Sequence, residues 1–254
     1  MEWYIILAVI GAGFLAGFIN TLAGSGSLIT LPMLMFLGLP ANVANGTNRI
    51  AIFLQNVVGV GSFRQQKVLD TKMSIWLAIP AVIGSLLGAQ IAIELNEEIM
   101  KKTIGALLFI MFFLILYKPQ QWVKGKAGQA HAKPSILQFI IFFFIGIYGG
   151  FIQAGVGIFL LAGLVLGAGL DLVKANATKL FIVLLYTPFA LAIFFINDQV
   201  NLKIGLILAV GNMLGAFVAS RFAVSWGAKY VRYILLGVIL LSGLKLLGVF
   251  NWLF

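Results

Sequence analysis

The stretch Asn20–Leu34, NTLAGSGSLITLPML, interrupts a long run of apolar residues with asparagine, threonine, serine and glycine. Non-helical backbone is tolerated at membrane depth only where it is buried in protein or lines a water-filled cavity. The stretch therefore predicts that one helix ends and another begins inside a membrane, at a point where a solute can be bound.

The composition indicates an all-α polytopic membrane protein. Of the 254 residues, 62% are hydrophobic and only 9% are charged, which is too few charged side chains to cover a soluble domain. Apolar runs of about 20 residues recur along the chain, and each is long enough to cross the ~30 Å hydrocarbon core of a bilayer. These runs lack the alternation of apolar and polar residues that a β-barrel requires.

The charges favour an anion as the solute. The net charge is +10, and most Lys and Arg residues flank apolar segments. This placement is typical of the positive-inside rule and of contact with anionic lipid. It therefore argues against nucleic-acid binding. All seven acidic residues lie near predicted segment ends, so the membrane interior offers neither an obvious proton relay nor a carboxylate cage for a cation. The chain has no cysteine, which excludes thiolate metal sites. We expect no metal and no cofactor.

Two runs of five helical segments are predicted, separated by a polar linker. The first run covers residues 3–19, 27–38, 45–63, 73–94 and 99–117, and the second covers 136–152, 157–168, 175–196, 203–222 and 230–250. The chain thus divides into a first repeat, 1–117, a basic cytoplasmic linker, 118–134, and a second repeat, 135–254. Because 27–38 and 157–168 are too short to span unaided, each forms a re-entrant hairpin with its predecessor or crosses as a short tilted helix. The total is about 8–10 transmembrane segments.

The two runs resemble each other in sequence. Gly17-Phe18-Ile19 matches Gly150-Phe151-Ile152, 133 positions later, and Gly24 matches Gly157 at the same offset. Further matches in the same order are Ala44-Asn45 and Thr47 with Ala175-Asn176 and Thr178, and Gly84 and Gly88 with Gly211 and Gly215. The charges of the loops place corresponding loops of the two copies on opposite sides of the membrane. The pattern predicts two inverted repeats, with the i,i+4 glycine pairs as helix-packing surfaces.

Matching breaks in two inverted halves, here near 20–27 and 153–157, are typical of a transport site in the middle of the membrane. A helix that begins near Leu28 leaves its first backbone amides unpaired, and these favour an anion. Ser25 or Ser27 is the expected cap, and glycines let a ligand approach the backbone closely. The next helix in each half opens with a cation among Asn and Thr residues. The candidate substrate-binding residues are Asn20, Thr21, Gly24, Ser25, Gly26, Ser27, Asn45, Thr47, Asn48, Arg49, Gln153, Gly155, Gly157, Asn176, Thr178 and Lys179.

Two plainer interpretations of these residues stay open. The Gly-Ser-Gly break is also compatible with a tight packing turn that binds no ligand. Arg49 and Lys179 are also long enough to snorkel toward the lipid headgroups.

The segment Gly17–Ala51, GFINTLAGSGSLITLPMLMFLGLPANVANGTNRIA, resembles the first-half signature of the sulfite exporter TauE/SafE family. The shared features are a Gly-rich break, an L-P segment, a Gly-Leu-Pro turn and a helix that opens with Gly-Thr. Phe151–Phe181, FIQAGVGIFLLAGLVLGAGLDLVKANATKLF, is similar to the second signature, with Gln153 and Val156 where more glycine is common. The resemblance implies a multi-pass protein of the bacterial inner (plasma) membrane that exports sulfite or an organosulfonate.

The leading hypothesis is therefore a membrane transporter for a small sulfur-containing oxyanion that works by alternating access between its halves. The alternative is a passive anion channel, or a permease for another small anion. An enzyme is not expected, because the chain has no cysteine, one histidine in the linker and no carboxylate pair. The expected partners are the small anionic substrate and membrane lipids, with no nucleic acid, and the sequence leaves a homodimer open.

Overall fold

The computed structural model describes residues 2–116 and 134–222, which fold as α-helices without strands. The predicted helix 230–250 and the predicted linker, apart from its last residue, lie outside these residues. The helices are α1 Trp3–Ala23, α2 Ser27–Phe36, α3 Ala41–Gln65, α4 Thr71–Glu94, α5 Glu97–Leu116, α6 Ile136–Phe151, α7 Val156–Ala162, which continues into a π-helical turn at Gly163–Gly167, α8 Leu172–Ile196 and α9 Leu202–Phe222.

Five helices in the described part of the chain are long and apolar enough to cross a membrane, namely α1, α4, α5, α8 and α9. The α3 helix, at 25 residues, matches α8 in length but buries a series of polar side chains. Together with three shorter apolar helices, this confirms the expected all-α polytopic membrane protein.

The first break is shorter than predicted. Asn20 and Thr21 belong to α1, which continues to Ala23 and ends where Gly24 adopts a left-handed conformation at φ +73°. The amide of Gly24 donates to the carbonyl of Asn20, a common way for a helix to stop. Because these polar side chains do not disturb the backbone bonds, the break contracts to residues 24–26, and its counterpart covers residues 152–155.

The short segments return on their predecessors as hairpins, one of the two arrangements allowed by the sequence. In the second half, the Gln138 side chain near the start of α6 donates to the carbonyl of Gly167 at the end of the π-helical turn, at 2.6 Å. In the first half, Val9 of α1 and Leu34 of α2 belong to one apolar cluster. Each hairpin tip therefore lies inside the protein, where α1 and α6 end.

In each repeat, the first helix packs on a helix of the other repeat, as expected of two copies related by a twofold axis. The α1 helix packs on α9, and its counterpart α6 packs on α4. The predicted glycine pairs form these contacts: a Cβ at Gly17 would lie 2.2 Å from the Asn212 carbonyl oxygen, and one at Gly150 would lie 2.0 Å from that of Ser85. Lys67 and Asp198, 131 positions apart, share the same unusual φ of 57° after α3 and α8.

Candidate solute-binding site

The first break touches the start of α7 at the centre of the described bundle. A Cβ added to Gly24 would lie 2.5 Å from the Cα of Gly157, and one added to Gly157 would lie 2.3 Å from the Cα of Gly24. A Cβ at Gly26 would lie 2.2 Å from the Ala16 carbonyl oxygen, whereas one at Gly155 would lie 2.8 Å from the sulfur of the Met111 side chain. At Gly24 and Gly157 the absence of a side chain lets two backbones cross, which favours the packing-turn interpretation at these two positions. Ligand approach at the glycines stays a prediction.

A small cavity lies beside this crossing. Its walls are formed by Asn20, Ser27, Ile52, Gln153, Val156, Gly157, Lys179, Leu180 and Val183. Asn20 and Gln153 are 133 positions apart, and Ile52 and Val183 are 131 apart, so both pairs match the offsets of the repeat. The cavity therefore lies on the pseudo-twofold axis. It has room for about one water molecule.

Arg49 is fully buried and holds the end of α6. Its guanidinium donates to the carbonyls of Gly149 at 3.1 Å and Gly150 at 2.5 Å, and to Gln153 Oε1 at 3.1 Å. Asn45, one turn earlier on α3, donates to the Phe151 carbonyl at 2.7 Å. These carbonyls belong to the last turn of a helix that stops inside the protein, where they have no partner in their own helix.

Lys179 has the same role at the end of α1. Its Nζ donates to the carbonyls of Asn20 at 2.8 Å and Thr21 at 3.1 Å, and to Asn176 Oδ1 at 2.7 Å. Each repeat thus supplies a cation that caps the broken helix of the other repeat. The snorkelling interpretation is wrong for both, because Lys179 is 1% exposed and Arg49 is 0% exposed. The two ion pairs within the described residues, Lys102–Glu98 and Lys174–Asp171, involve neither cation.

Gln153 presents an unused donor at the cavity. A guanidinium only donates hydrogen bonds, so the Gln153 oxygen must face Arg49 and the amide nitrogen must face away from it. That Nε2 atom is buried and has no hydrogen-bond partner. Gln153 is also one of the residues that line the cavity.

Ser27 adds a second donor. It is the first residue of α2, and its hydroxyl oxygen accepts from Asn48 Nδ2 at 3.2 Å. Asn48 is held in turn by the Thr30 hydroxyl, at 2.6 Å. The expected cap by Ser25 or Ser27 is wrong, because Gly26 is the N-cap and no side chain caps α2. The Ser27 proton is therefore free to point at a solute, and the Ser25 hydroxyl is buried without a partner.

Several predicted residues lie away from the cavity. The Thr47 hydroxyl accepts from the Asn201 amide at the start of α9, at 2.8 Å, and Thr178 contacts Ser74 of α4 at 3.3 Å. The Thr21 hydroxyl bonds back to Gly17 in its own helix. Of the sixteen candidates, five line the cavity: Asn20, Ser27, Gln153, Gly157 and Lys179. Four further candidates form hydrogen bonds behind the cavity wall. Asn48 bonds to Ser27, Arg49 to Gln153 and Asn176 to Lys179, and Asn45 bonds to the end of α6.

The apolar walls were missed by the sequence analysis. Ile52, Val156, Leu180 and Val183 look like any other membrane residue in this chain, so no local pattern selects them. The repeat offset is the one signal that finds two of them, because it pairs Ile52 with Val183.

Comparisons with known proteins agree on one family. The family model described as Sulfite exporter TauE/SafE matches residues 9–246. The chain is 29% identical to "Probable membrane transporter protein ORF9" of Sinorhizobium sp, over 98% of this chain and 94% of the relative. It is 28% identical to "Probable membrane transporter protein YfcA" of Escherichia coli K12, over 92% and 86%, and 25% identical to YjnA of Bacillus subtilis 168, over 97% and 100%. No solved structure matches the chain.

Proposed function

The chain belongs to the sulfite exporter TauE/SafE family of membrane transporters, and from this premise we propose that it exports a small sulfur-containing oxyanion by alternating access. The proposed substrate class is sulfite or an organosulfonate, and the proposed location is the bacterial inner membrane, since the relatives described above are bacterial.

The observation that carries the proposal is the set of donors at the cavity. Gln153 Nε2 has no partner and the Ser27 hydroxyl has a free proton, while the ammonium of Lys179, whose three N–H groups are already bonded, adds a positive charge to the same wall. No carboxylate lies among the residues that line the cavity. An anion that only accepts hydrogen bonds satisfies such a site, whereas a cation would find no charged ligand there.

The small cavity supports alternating access over an open pore. A pyramidal or tetrahedral oxyanion is larger than one water molecule, so the helices around the cavity must separate before it can enter. The two crossed hairpin tips and their cations are the elements that such a movement would displace. A passive channel, the alternative function, would not accumulate labelled substrate by exchange against unlabelled substrate.

The test is anion flux in liposomes that contain the purified protein. Uptake of sulfite, sulfate, thiosulfate, taurine and sulfoacetate is compared for wild type, Gln153→Leu and Gln90→Leu, the last being an exposed glutamine on α4. We expect the wild type and Gln90→Leu to transport at least one sulfur oxyanion, with exchange against unlabelled substrate, and Gln153→Leu to be at least tenfold slower. Equal rates for Gln153→Leu and wild type would overturn the proposed site. Wild-type inactivity with the whole panel would overturn the proposed substrate class.

A further inference from the structure

A stripe of buried polar side chains runs along α3 away from the central cavity. Gln55 follows Asn48 by seven residues and Ser62 follows Gln55 by seven, while the exposed Gln66 continues the same face directly after the last residue of the helix. This spacing puts all four on one face of α3. The stripe begins at the cavity, because Asn48 donates to Ser27 of the cavity wall.

The facing helix α9 carries polar groups that form hydrogen bonds with this stripe. Asn212 Nδ2 donates to Gln55 Oε1 at 3.3 Å, and the Ser220 hydroxyl donates to the Ser62 hydroxyl at 2.7 Å. Gln66 donates to the Ser220 carbonyl at 3.1 Å. We call this contact between α3 and α9, from Gln55 to Gln66, the polar seam.

The polar seam is incompletely hydrogen-bonded at its inner end. Gln55 Nε2 and Asn212 Oδ1 are buried without partners, and both atoms of the amide of Asn56, the neighbour of Gln55, are unpartnered as well. Gln55 and Asn56 are 0% exposed and Asn212 is 1% exposed. Buried polar groups without partners cost free energy, so their presence is unexplained if the seam only holds two helices together.

The other repeat carries only the inner part of this stripe. At the repeat offsets, Gln55 corresponds to Tyr186, whose buried hydroxyl also lacks a partner, whereas Ser62 and Ser220 correspond to Ile193 and Ile93. Asn212 corresponds to Ser85, whose hydroxyl bonds within its own helix, to the Val82 carbonyl at 2.8 Å. The buried polar contact between facing helices at Ser62 and Ser220 is therefore found in one repeat only.

The charges at the two ends of the described bundle have the same asymmetry. The end of the polar seam lies among the charged residues Arg64, Lys67, Lys72, Lys174 and Arg221, with Asp70 and Asp171 as the carboxylates. The opposite end carries Glu2, Glu94, Glu97, Glu98 and Asp198, with Lys101, Lys102 and Lys203. A basic mouth raises the local concentration of an anion, and an acidic mouth lowers it.

We propose that the polar seam is the route by which the anion reaches the central cavity from the basic face. The α3 and α9 helices separate along the seam, its amides and hydroxyls replace part of the hydration shell of the anion, and the basic residues collect the anion at the entrance. The far end of the same helix pair is tightly packed in this structure, since a Cβ at Gly205 would lie 2.6 Å from Ile50 Cδ1. This inference rests on the proposed function, and it assigns loading to the side that the basic loops occupy.

The natural absence of cysteine makes the route measurable. Single variants Ser220→Cys, Asn212→Cys and Ser85→Cys are reconstituted and treated with 2-sulfonatoethyl methanethiosulfonate, an impermeant thiol reagent that is itself a small sulfonate. Ser85 is the matched control, because it corresponds to Asn212 in the repeat and is equally buried. The reagent is added to either side of the membrane, and the flux of each variant is measured before labelling.

We expect Ser220→Cys and Asn212→Cys to react at least tenfold faster from the basic side than from the acidic side, and Ser85→Cys to stay unmodified from both. An unreactive Asn212→Cys in a variant that still transports would overturn the route and leave the proposed function standing. Equal labelling of Ser85→Cys and Asn212→Cys would also overturn it. Because labelling needs no substrate, a wild type that transports none of the tested anions would contradict the proposed function without deciding the route.

Discussion

Arg49 and Lys179 are buried cations whose partners are backbone carbonyls and amide oxygens. Each lies where the negative end of a helix dipole is buried, so the charge and the unpaired carbonyls satisfy each other. This explains why the cations are tolerated inside a membrane protein without a carboxylate. It also changes their predicted role, because Arg49 fixes the orientation of Gln153, the group that we propose as a donor to the solute.

We expect Arg49→Ala to destabilise the protein strongly. Two carbonyls and the Gln153 oxygen lose their strongest donors, and each unsatisfied buried acceptor costs about 1–3 kcal/mol. The thermal unfolding midpoint in detergent should fall by more than about 5 °C, and Arg49→Lys should recover part of this loss. Arg64→Ala, at an exposed position of the same helix, is the control. If Arg49→Ala and Arg64→Ala had the same thermal unfolding midpoint, the capping role of Arg49 would be wrong.

Lys179 should matter for flux even where the protein folds. Lys179→Met keeps the length of the side chain but removes the positive charge from the cavity wall. We expect the purified variant to lose at least tenfold in oxyanion flux while it elutes as a single species in detergent. Lys101→Met, at an exposed position of α5 away from the basic end, should retain wild-type flux. Full activity of Lys179→Met would show that the cavity needs no cation.

At the scale of the elements, the glycine pairs decide how closely the hairpins pack on the crossing helices. Gly17 and Gly150 let α1 and α6 approach the backbones of α9 and α4 so closely that a methyl group has no room. These contacts occupy equivalent positions in the two repeats. They hold each hairpin against a helix of the other repeat, and thereby bring the two breaks together.

Gly17→Ala is expected to lower the unfolding midpoint, because its Cβ would lie 2.2 Å from the Asn212 carbonyl oxygen. Gly150→Ala should have a similar effect. Gly61→Ala tests the helix itself, since nothing lies within 4 Å of the added Cβ. There, alanine should leave the unfolding midpoint unchanged or raise it, because alanine stabilises a helix by up to about 1 kcal/mol relative to glycine. Equal midpoints for Gly17→Ala and Gly61→Ala would argue against the close contact.

Much of this architecture could be predicted from the sequence, because apolar runs, glycine pairs and repeat offsets are local or periodic signals. The position of the first break was misjudged, since Asn20 looks like an interruption but keeps its helical backbone bonds, and the left-handed Gly24 is the true end of α1. The partners of Arg49 could not be predicted. They lie about 100 positions away, and only the folded crossing of the hairpins brings them together.

At the scale of the whole molecule, the described helices of the two repeats pack around one pseudo-twofold axis. The helix contacts and the site residues follow the axis, whereas the polar seam and the charged ends break it. A symmetric core permits two equivalent open states, and the asymmetric ends give the substrate a preferred side. Inverted repeats predict that corresponding loops face opposite sides of the membrane.

The sidedness can be measured with Lys72→Cys and Lys203→Cys, which alter exposed residues near the starts of α4 and α9. In intact cells, an impermeant thiol reagent should label Lys203→Cys and should label Lys72→Cys only after the membrane is permeabilised. Labelling of both positions from the same side would contradict the inverted arrangement.

Binding of an oxyanion on the pseudo-twofold axis is tested most directly by a crystal structure determined with selenite, a pyramidal oxyanion whose selenium gives an anomalous signal. We predict one selenium peak in the central cavity, with its oxygens within hydrogen-bonding distance of Gln153 Nε2 and the Ser27 hydroxyl, and no such peak in Gln153→Leu. Selenium found only outside the cavity, in a protein that transports the anion, would contradict the proposed site.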